Sequence, residues 1–567
     1  MDFVLTLHSH LPWVLNHGRW PHGSDWLCEA MADTYLPLVE TLDGLAHEGI
    51  AAPITVGVTP VLAAQLCHPS LGPEMDAFFA QRLEACDEAE QGFSLSGEQH
   101  LTPLARFWRE RYARLRRLLT RTSGGVAGAL RRHADAGRIE LLSSAATHGF
   151  LPLLGREESI ALQLAVGRAE HRRIFGREPE GCWLPECAYR PRGDWHHDPG
   201  SPPQRDRPGV EEQLAAQGYR FFFVDSHLAA AGRPLGLYRD AGWPERSWRG
   251  TGAAITERPA DEAPDDATAL RSPYRTYQVS PRAGRRTVTA LIRDPESTRQ
   301  VWSRHGGFPG DGSYLEFHKI RYPGGLKFWR VTRPDSDLGL KEPYEPNAAR
   351  ARAFGHAAHL HWMLARRAGF GSPDAGESVI VAPFDTELFG HWWFEGVSFL
   401  GDLYRRLSIW GGPTPRTASA HLAATPPTRA VALAPGSWGA NGDFSMWLNA
   451  GTRWTWEQLW SLERRFWDAA PAAISDPGRH PVLAQAAREL LLLQASDWQF
   501  IISTGAAADY GARRFRGHAD DLEALLGALE PGGEGRLPAA ADLAERVRAR
   551  DDLFPDVLPA LAAVLGR

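Results

Sequence analysis

The sequence predicts an α/β protein in which a parallel β/α barrel is followed by a mostly helical C-terminal region. Over residues 3–410, short apolar segments alternate with polar residues and then with stretches of helical apolar spacing. Two of the apolar segments are followed by a proline and then by an acidic residue, which is Glu186 in one case and Asp385 in the other. Beyond a stretch that contains Pro and Gly, residues 411–427, helical spacing predominates.

The predicted elements follow one another in the order that such a barrel needs. Predicted strands are residues 3–7, 53–58, 139–142, 182–184, 221–224, 275–280, 287–292 and 379–382. Predicted helical segments are residues 25–48, 72–137, 156–174, 346–368, 455–470, 480–496, 507–528 and 538–566. In a parallel β/α barrel the chemistry gathers at the C-terminal ends of the strands, which is where polar residues follow these strands.

A chain of 567 residues is long enough for two or three domains. We expect residues 1–189 and 273–412 to form the barrel and residues 190–272 to be an inserted, loop-rich subdomain or lid. Residues 413–567 are expected to form a mostly helical domain that completes the substrate cleft. Within the insertion, residues 229–272 have the composition of a long surface excursion, which is typical of a lid or a binding rim.

Composition narrows the class of partner. The net charge of −6 arises from 62 basic and 68 acidic residues, so the sequence carries no electrostatic footprint for nucleic acid or an anionic membrane. The five cysteines are odd in number and lack paired spacing, which argues against a disulfide framework. The first residues lack a basic signal-peptide region, and no apolar run reaches membrane-spanning length. We therefore expect a soluble, cytoplasmic monomer or small homo-oligomer.

Glu186 and Asp385 are the candidate catalytic residues. Each carboxylate comes after an apolar strand and a proline, among aromatic residues that leave it poorly solvated. Two such carboxylates suit cleavage or transfer of a glycosidic bond, because one attacks the anomeric carbon while the other moves the proton. The alternative for Glu186 is an ion pair with the nearby Arg190.

Tryptophan is unusually abundant. The 21 Trp residues exceed the needs of a core and fit stacking on the apolar faces of sugars, although a Trp-rich core is the alternative. Trp392 belongs to a dense aromatic cluster after Asp385. Trp438 is flanked by small loop residues that would leave its ring exposed.

At five stretches the sequence resembles the family-57 glycoside hydrolases and, within them, the bacterial 1,4-α-glucan branching enzymes. The stretches are His8-Ser9-His10-Leu11-Pro12, Ser144-Ala145-Ala146-Thr147-His148-Gly149, Trp183-Leu184-Pro185-Glu186, Phe384-Asp385-Thr386-Glu387-Leu388-Phe389-Gly390-His391-Trp392-Trp393 and Ala495-Ser496-Asp497-Trp498. The wider family usually ends the first motif in Gln-Pro, and here it is Leu11-Pro12. That departure weakens a match to the amylase members more than to the branching enzymes.

The resemblance implies a (β/α)7 barrel and a retaining mechanism, with Glu186 as the nucleophile and Asp385 as the general acid/base. It implies an α-glucan polymer as substrate, with no cofactor, and transfer of the cut chain from an α-1,4 to an α-1,6 link. By match to aromatic positions in branching enzymes, the stacking platforms are Trp20, Trp302, Trp438 and Trp447. A lid tyrosine of those enzymes matches Tyr238, more loosely.

Three histidines and one acid complete the predicted site. His8 and His10 alternate along one strand and so face the same side. Together with His148 they are expected to donate hydrogen bonds to the sugar next to the scissile bond, although His148 could instead be a core histidine. Asp497 either reaches the cleft from the helical domain or caps or pairs within that domain.

Other functions remain open from sequence alone. The histidines, together with Asp225, His227 or Asp385, could hold a metal ion as in a metal-dependent deacetylase, but that leaves Glu186 and the tryptophans without a role. An α-amylase or 4-α-glucanotransferase of the same family would differ in product linkage. A catalytically silent glucan-binding protein would bind starch without turnover.

Overall fold

The computed structural model describes residues 1–195, 204–240, 253–256, 271–282, 285–303, 305–333, 335–369 and 379–566, with backbone alone for 234–240 and 253–256. The strands are β1 (Asp2–Ser9), β2 (Ile54–Val58), β3 (Ile139–Ser144), β4 (Gly181–Trp183), β5 (Gly193–Trp195), β6 (Gln204–Arg207), β7 (Phe221–Val224), β8 (Arg233–Asp240), β9 (Ala253–Thr256), β10 (Thr276–Val279), β11 (Thr289–Ile292), β12 (Val379–Asp385), β13 (Thr414–Pro415) and β14 (Arg429–Ala432).

Helices cover most of the remaining described residues. They are α1 (Ser24–Ala30), α2 (Leu36–His47), α3 (Pro60–Leu66), α4 (Leu71–Ser96), α5 (Thr102–Arg121), α6 (Gly125–Asp135), α7 (Glu157–Phe175), α8 (Val210–Ala216), α9 (Ser226–Ala230), α10 (Pro295–Trp302), α11 (Pro346–Gly369), α12 (Gly396–Trp410), α13 (Ala418–Ala424), α14 (Arg453–Ala473), α15 (His480–Leu493), α16 (Asp497–Thr504), α17 (Ala508–Leu529), α18 (Leu537–Arg548) and α19 (Val557–Val564). A π-helical turn, Met31–Tyr35, joins α1 to α2.

Seven parallel strands of the described chain form a barrel in the order β12–β1–β2–β3–β4–β7–β11. The ring closes between β11 and β12, where Arg293 and Val381 form a parallel bridge and the Asp294 N–H donates to the Val381 carbonyl at 2.8 Å. This is the predicted (β/α)7 barrel. Because all seven strands are parallel, their C-terminal ends meet on one face.

Alternation along β1 shows how the barrel is filled. Phe3, Leu5 and Leu7 belong to the core between the strands and the outer helices, whereas Val4 belongs to a separate buried cluster with Phe223 and residues of other barrel strands. Since side chains alternate along a strand, Thr6 and His8 lie on the same inner side as Val4. His8 therefore enters the barrel rather than the outer layer.

The segment expected to be an insertion contributes directly to the sheet. Strand β7 lies between β4 and β11, so residues 190–272 contain one of the seven barrel strands. Within residues 229–272, strands β8 and β9 form a hairpin that pairs with β14, which in turn pairs with β10. The backbone of Tyr238 pairs with Ile255 in that hairpin, and the Tyr238 side chain lies outside the described part of the chain.

The C-terminal boundary also differs in detail from expectation. Strand β14 extends the sheet beyond residue 412, into the stretch assigned to the helical domain. The helix expected over 538–566 is two helices, α18 and α19. Pro555 and the left-handed Phe554 (φ 53°) separate them, because proline disfavours a helical residue before it. Among the described residues, no helix is long and apolar enough to cross a membrane.

Candidate active site

Glu186 lies just beyond strand β4 in a left-handed backbone conformation, with φ 59° and ψ 22°. Cys187 follows with φ 47°. Such a conformation is unfavourable for residues other than glycine and persists where the surrounding structure enforces it, often at functional sites. Here the Cys187 N–H donates to the Leu184 carbonyl at 2.8 Å, and the Trp438 N–H donates to the Glu186 carbonyl at 3.0 Å.

Each carboxylate oxygen of Glu186 accepts one hydrogen bond from a side chain. The Trp438 indole Nε1–H donates to Oε2 at 2.9 Å, and the Ser496 hydroxyl donates to Oε1 at 3.0 Å. Burial raises the pKa of Glu186 and the charge of Asp497 adds to the rise, while the donors Trp438 and Ser496 oppose it. The two donors hold the carboxylate in place and favour its charged form. Arg190, the partner considered from sequence, instead donates to the carbonyl groups of Pro191 and Pro208.

Asp385 ends strand β12 and is the register partner of His8 on β1. Burial raises the pKa of Asp385 well above its usual range, and the nearby charges of Glu387 and Glu186 raise it further. An acid held protonated beside an ionised carboxylate is the arrangement that general acid catalysis requires. Glu186 and Asp385 are therefore suited to different roles.

Glu387 is a third carboxylate at this edge. It accepts hydrogen bonds from the Tyr35 hydroxyl and from the His10 backbone N–H, the latter at 3.2 Å. Burial raises its pKa to about 7. The π-helical turn presents Tyr35 to it, and Thr34 in the same turn accepts from the His391 N–H at 3.0 Å. The turn thus secures the segment that follows Asp385.

The three histidines form a stack against Trp183. The His8 ring lies parallel to Trp183, with centroids 4.5 Å apart, and the rings of His10 and His148 are 3.9 Å apart. His8 is only 1% exposed, and its Nε2 lies 3.1 Å from Nε2 of His148, which is itself buried. The rings of His8 and His148 are therefore enclosed and turned toward each other, which differs from the free donors expected for contacts with sugar hydroxyls.

His10 and Asp497 join the barrel to the helical domain. The His10 Nε2 lies 3.0 Å from both carboxylate oxygens of Asp497, and its Nδ1 lies 3.0 Å from the Thr59 hydroxyl. Burial works to lower the pKa of His10, but the Asp497 carboxylate and the charges of Glu186 and Glu387 outweigh it and raise the pKa. Asp497, the first residue of α16, thus reaches the cleft.

The cluster of His10, His148 and Asp497 has the residue types of a metal site. Every ring nitrogen of the two histidines already contacts a protein group: Thr59 and Asp497 for His10, Ser496 and His8 for His148. The two rings are also stacked, with planes 20° apart, so their in-plane lone pairs run side by side instead of converging on one point. The geometry favours a hydrogen-bonded network over an ion site.

Asp225 and His227, the further ligands of the metal hypothesis, are engaged elsewhere. Arg293 Nη1 lies 3.1 Å from Asp225 Oδ2, and His227 Nδ1 lies 3.3 Å from Oδ1 of the same carboxylate. Burial alone would raise the pKa of Asp225, but His227 and Arg293 lower it to about 2. His227 Nε2 also lies 2.9 Å from the Gly442 carbonyl oxygen. These residues anchor the 436–442 loop that carries Trp438.

The predicted aromatic platforms separate into three groups. Trp302, 42% exposed, lies 5.8 Å from the half-buried Trp438, and the Arg293 guanidinium lies 5.5 and 5.4 Å from the two rings. Trp392 and Trp20 are exposed; the Trp392 N–H donates to the Glu387 carbonyl at 3.1 Å, while the described contacts of Trp20 join it to neither catalytic candidate.

Trp447 is buried, which differs from the exposed stacking platform that was expected. It is 1% exposed and stacks on Phe150 at 4.6 Å, so neither face is open to a sugar. A tryptophan in a loop sequence looks the same whether its ring points outward or into a core, and here Phe150 of the barrel and Phe500 of α16 lie against the ring.

Comparisons with known proteins agree with this geometry. The model of glycosyl hydrolase family 57 matches residues 4–414, and the model of the 1,4-alpha-glucan branching enzyme C-terminal region matches residues 459–560. The chain belongs to glycosyl hydrolase family 57. A family-57 relative, the 1,4-alpha-glucan branching enzyme of Thermococcus kodakarensis, is 37% identical over 93% of this chain and 73% of its own length.

Two solved structures extend the family likeness to almost the whole chain. The family-57-type branching enzyme of Pyrococcus horikoshii has a TM-score of 0.86 at 35% identity, covering 99% of this chain and 96% of that one. The α-amylase AmyC of Thermotoga maritima has a TM-score of 0.77 at 27% identity, covering 99% of both chains. The fold is therefore shared with family members that carry different activities in their names.

Four residues of this family-57 site were not singled out from sequence. Ser496 and Glu387 stand inside the motifs at 495–498 and 384–393, next to residues that were chosen, so motif membership was an available signal. Arg293 directly follows the predicted strand 287–292, so its place at a strand end was an available signal. For Tyr35 no sequence signal exists, because it comes from a π-helical turn within an apolar helical pattern.

Proposed function

We propose that the protein is a 1,4-α-glucan branching enzyme that works by retaining double displacement. The observation that carries the proposal is the junction of the two domains at Glu186. There, Ser496 and Asp497 of the helical domain enter the site beside the strand-end carboxylates. Both residues lie within the segment that matches the branching-enzyme C-terminal model. Both domains thus contribute walls to the cleft in which a transferase would act.

In the first step, Glu186 attacks the anomeric carbon of an α-1,4-linked glucan, and the bond from that carbon to the leaving oxygen breaks. Asp385 gives its proton to that oxygen, so the reducing-end fragment departs as an alcohol. The raised pKa of Asp385 supports this role, because the proton must be present at working pH. The hydrogen bonds from Trp438 and Ser496 orient Glu186 and favour its ionised form.

In the second step, the ionised Asp385 takes the proton of an acceptor 6-hydroxyl, whose oxygen attacks the anomeric carbon. The bond to Glu186 breaks, and Asp385 and Glu186 return to their starting protonation states. The product is an α-1,6 branch with retained configuration. Transfer requires that a glucan hydroxyl outcompete water for the intermediate.

The pair of Trp302 and Trp438 supplies an aromatic surface next to Glu186 that suits a glucan chain. Sugar rings stack their apolar faces on such rings. Arg293 lies against both tryptophans and is itself fixed by Asp225, so the surface is preorganised. This ordered, partly apolar wall favours the binding of a second glucan over free access of water.

The test is proton NMR of amylose after incubation, with anomeric α-1,6 and α-1,4 signals counted and new reducing ends assayed. We expect α-1,6 signals to grow with few reducing ends in the wild type, and neither product with Glu186→Gln. Glu211→Gln is the matched control, because Glu211 is also buried with a pKa raised to about 7 but contacts Tyr189 outside the site. Absence of α-1,6 signals from the wild type would contradict the proposal.

Hydrolysis is the second candidate function, favoured by the likeness to the α-amylase AmyC across the whole chain. The covalent intermediate is the same in both reactions, and only the attacking group differs. If reducing ends accumulate without α-1,6 signals, the carboxylate roles stand and the protein is a hydrolase.

All five cysteines are free thiols, which suits a reducing compartment and supports the proposal that the enzyme acts in the cytoplasm.

A further inference from the structure

Four side chains form a hydrogen-bonded chain that ends at Glu186. His8 Nε2 lies 3.1 Å from His148 Nε2, and His148 Nδ1 lies 2.9 Å from the Ser496 hydroxyl oxygen. That hydroxyl lies 3.0 Å from Glu186 Oε1. The four residues lie on β1, in the loop after β3, directly before α16 and in the loop after β4, so residues far apart in sequence form one hydrogen-bonded chain.

Counting protons fixes the direction of this chain. An ionised carboxylate only accepts hydrogen bonds, so Ser496 must give its single proton to Glu186. The Ser496 oxygen then accepts from His148, which requires a proton on His148 Nδ1. A neutral His148 with Nδ1–H has a lone pair on Nε2, so His8 must donate to it from its own Nε2–H.

The surroundings keep both rings neutral. The His8 ring stacks on Trp183 and meets His148 at its Nε2 edge. Among the described residues its buried Nδ1 has no hydrogen-bond partner, as expected for the unprotonated nitrogen of the Nε2–H tautomer. Burial, together with the neighbouring His10, holds the pKa of His8 and of His148 well below the usual range. Only one arrangement of protons therefore gives each of the three hydrogen bonds one donor and one acceptor.

We propose that His8, acting through His148, is a positioning residue that commits the Ser496 proton to the nucleophile Glu186. If His148 carried its proton on Nε2, its Nδ1 would become an acceptor and would compete with Glu186 for the Ser496 proton. His8 prevents that tautomer, because its Nε2–H would face the Nε2–H of His148. A buried residue that touches neither substrate nor Glu186 thus controls how Glu186 is hydrogen-bonded.

This inference rests on the role of Glu186 in the proposed function. During the reaction one Glu186 oxygen bonds to the sugar and the other becomes a carbonyl oxygen. Because Ser496 and Trp438 each serve a different oxygen, the carbonyl oxygen keeps a donor in the intermediate whichever oxygen attacks. That donor stabilises the departing carboxylate in the second step.

Several other groups face Glu186 and stay unchanged in the test. They are His10 and Asp497, which pair with each other, together with Asp385 from β12. Ser496 is the donor whose loss can be isolated from these charges. Removing its hydrogen bond raises the pKa of Glu186, because that bond favours the charged form.

The experiment measures the pH dependence of kcat/KM for hydrolysis of α-maltosyl fluoride, which reports glycosyl transfer to Glu186 whether or not branches form. For Ser496→Ala we expect the acid limb of the pH profile to move to higher pH by about one unit and kcat to fall about tenfold. Ser496→Thr, which keeps the hydroxyl, should restore both. His8→Phe should move the limb in the same direction, whereas His8→Gln, which can still donate to His148, should not.

The double variant decides whether His8 acts through Ser496. With the hydroxyl already gone, His8→Phe should add no further shift of the acid limb, so the two effects should not sum. His171→Phe is the matched control, because His171 is also buried but lies on α7, outside the chain. An unshifted limb in His8→Phe, or additive shifts, would overturn the proposal.

Neutron diffraction of the deuterium-exchanged wild type gives a readout that needs no activity and no altered protein. We expect deuterium on His8 Nε2 and His148 Nδ1, and the Ser496 deuteron directed at Glu186. Deuterium on His148 Nε2 would overturn the inference while leaving the branching proposal intact. Conversely, if an enzyme that makes no α-1,6 links shows the expected deuterium pattern, the hydrogen-bonded chain is confirmed and only the branching activity is rejected.

Discussion

The Trp438 indole donates to Glu186, with Nε1 2.9 Å from Oε2, while its ring meets Trp183 edge-on at 5.2 Å. One residue thus both orients the nucleophile and lines the cleft. The same loop is held by the contact of His227 with Gly442. The position of Trp438 is therefore fixed from two sides before any glucan binds.

Trp438→Phe removes the donor and keeps most of the ring. Loss of the hydrogen bond raises the pKa of Glu186, so the acid limb of the pH–rate profile should move to higher pH and kcat should fall about tenfold. Initial rates on amylose between acid and neutral pH measure both. Trp410→Phe, at an exposed position at the end of α12, is the control and should leave the profile unchanged.

Glu387→Gln should move the basic limb of the same profile to lower pH. Asp385 must be protonated to release the leaving chain, so activity is lost as pH rises through its pKa. The Glu387 charge raises that pKa, and its removal lowers it. Glu211→Gln serves as the control, and a basic limb that stays in place in Glu387→Gln would show that Glu387 does not tune Asp385.

Asp385→Asn should raise the thermal stability of the protein, and more so at higher pH. The pKa of Asp385 is higher in the folded than in the unfolded chain, so the folded state binds the proton more tightly. Stability therefore falls as pH rises from the unfolded pKa toward the folded one. Asparagine does not ionise, so the variant avoids that loss of stability. Melting temperatures at pH 4.5 and 7.5 test it, and an equal change at both values would contradict the electrostatic explanation.

Glu186→Gly should be more stable than Glu186→Ala by about 1 kcal/mol, because glycine accepts the left-handed φ of 59° without strain. At Glu211, inside α8, the same two substitutions should rank in the opposite order, since glycine weakens a helix. Chemical denaturation of the four variants measures the comparison. If alanine is the more stable residue at both positions, the strain at Glu186 is absent.

The positions of the barrel strands along the sequence, and of the two carboxylates at strand ends, could be predicted because they depend on local patterns. An apolar run with a proline and an acid marks a strand end in any sequence, and the parallel barrel then gathers such ends on one face. Glu186 and Asp385 were found in this way, and the family resemblance supplied the number of strands.

The remainder depends on tertiary placement that no local pattern encodes. His8 and Trp447 were assigned to substrate although both are buried, because a histidine or tryptophan has the same sequence signature on either side of a cleft wall. Ser496 was passed over because its importance arises from meeting Glu186 across the domain junction. Strand β14 has only four residues and pairs with β10 and β8, which are distant in sequence, so composition did not distinguish it from a loop.

Mass spectrometry of the trapped intermediate tests the central claim, that Glu186 is the nucleophile. A 5-fluoro-maltosyl fluoride, which forms a slowly hydrolysed glycosyl-enzyme, is incubated with the wild type, Glu186→Gln and Glu211→Gln, and the adducts are mapped on peptides. We expect one added glycosyl unit on Glu186 in the wild type and in Glu211→Gln, and none in Glu186→Gln. A label on Asp385 or on another carboxylate, or an adduct in Glu186→Gln, would contradict the account.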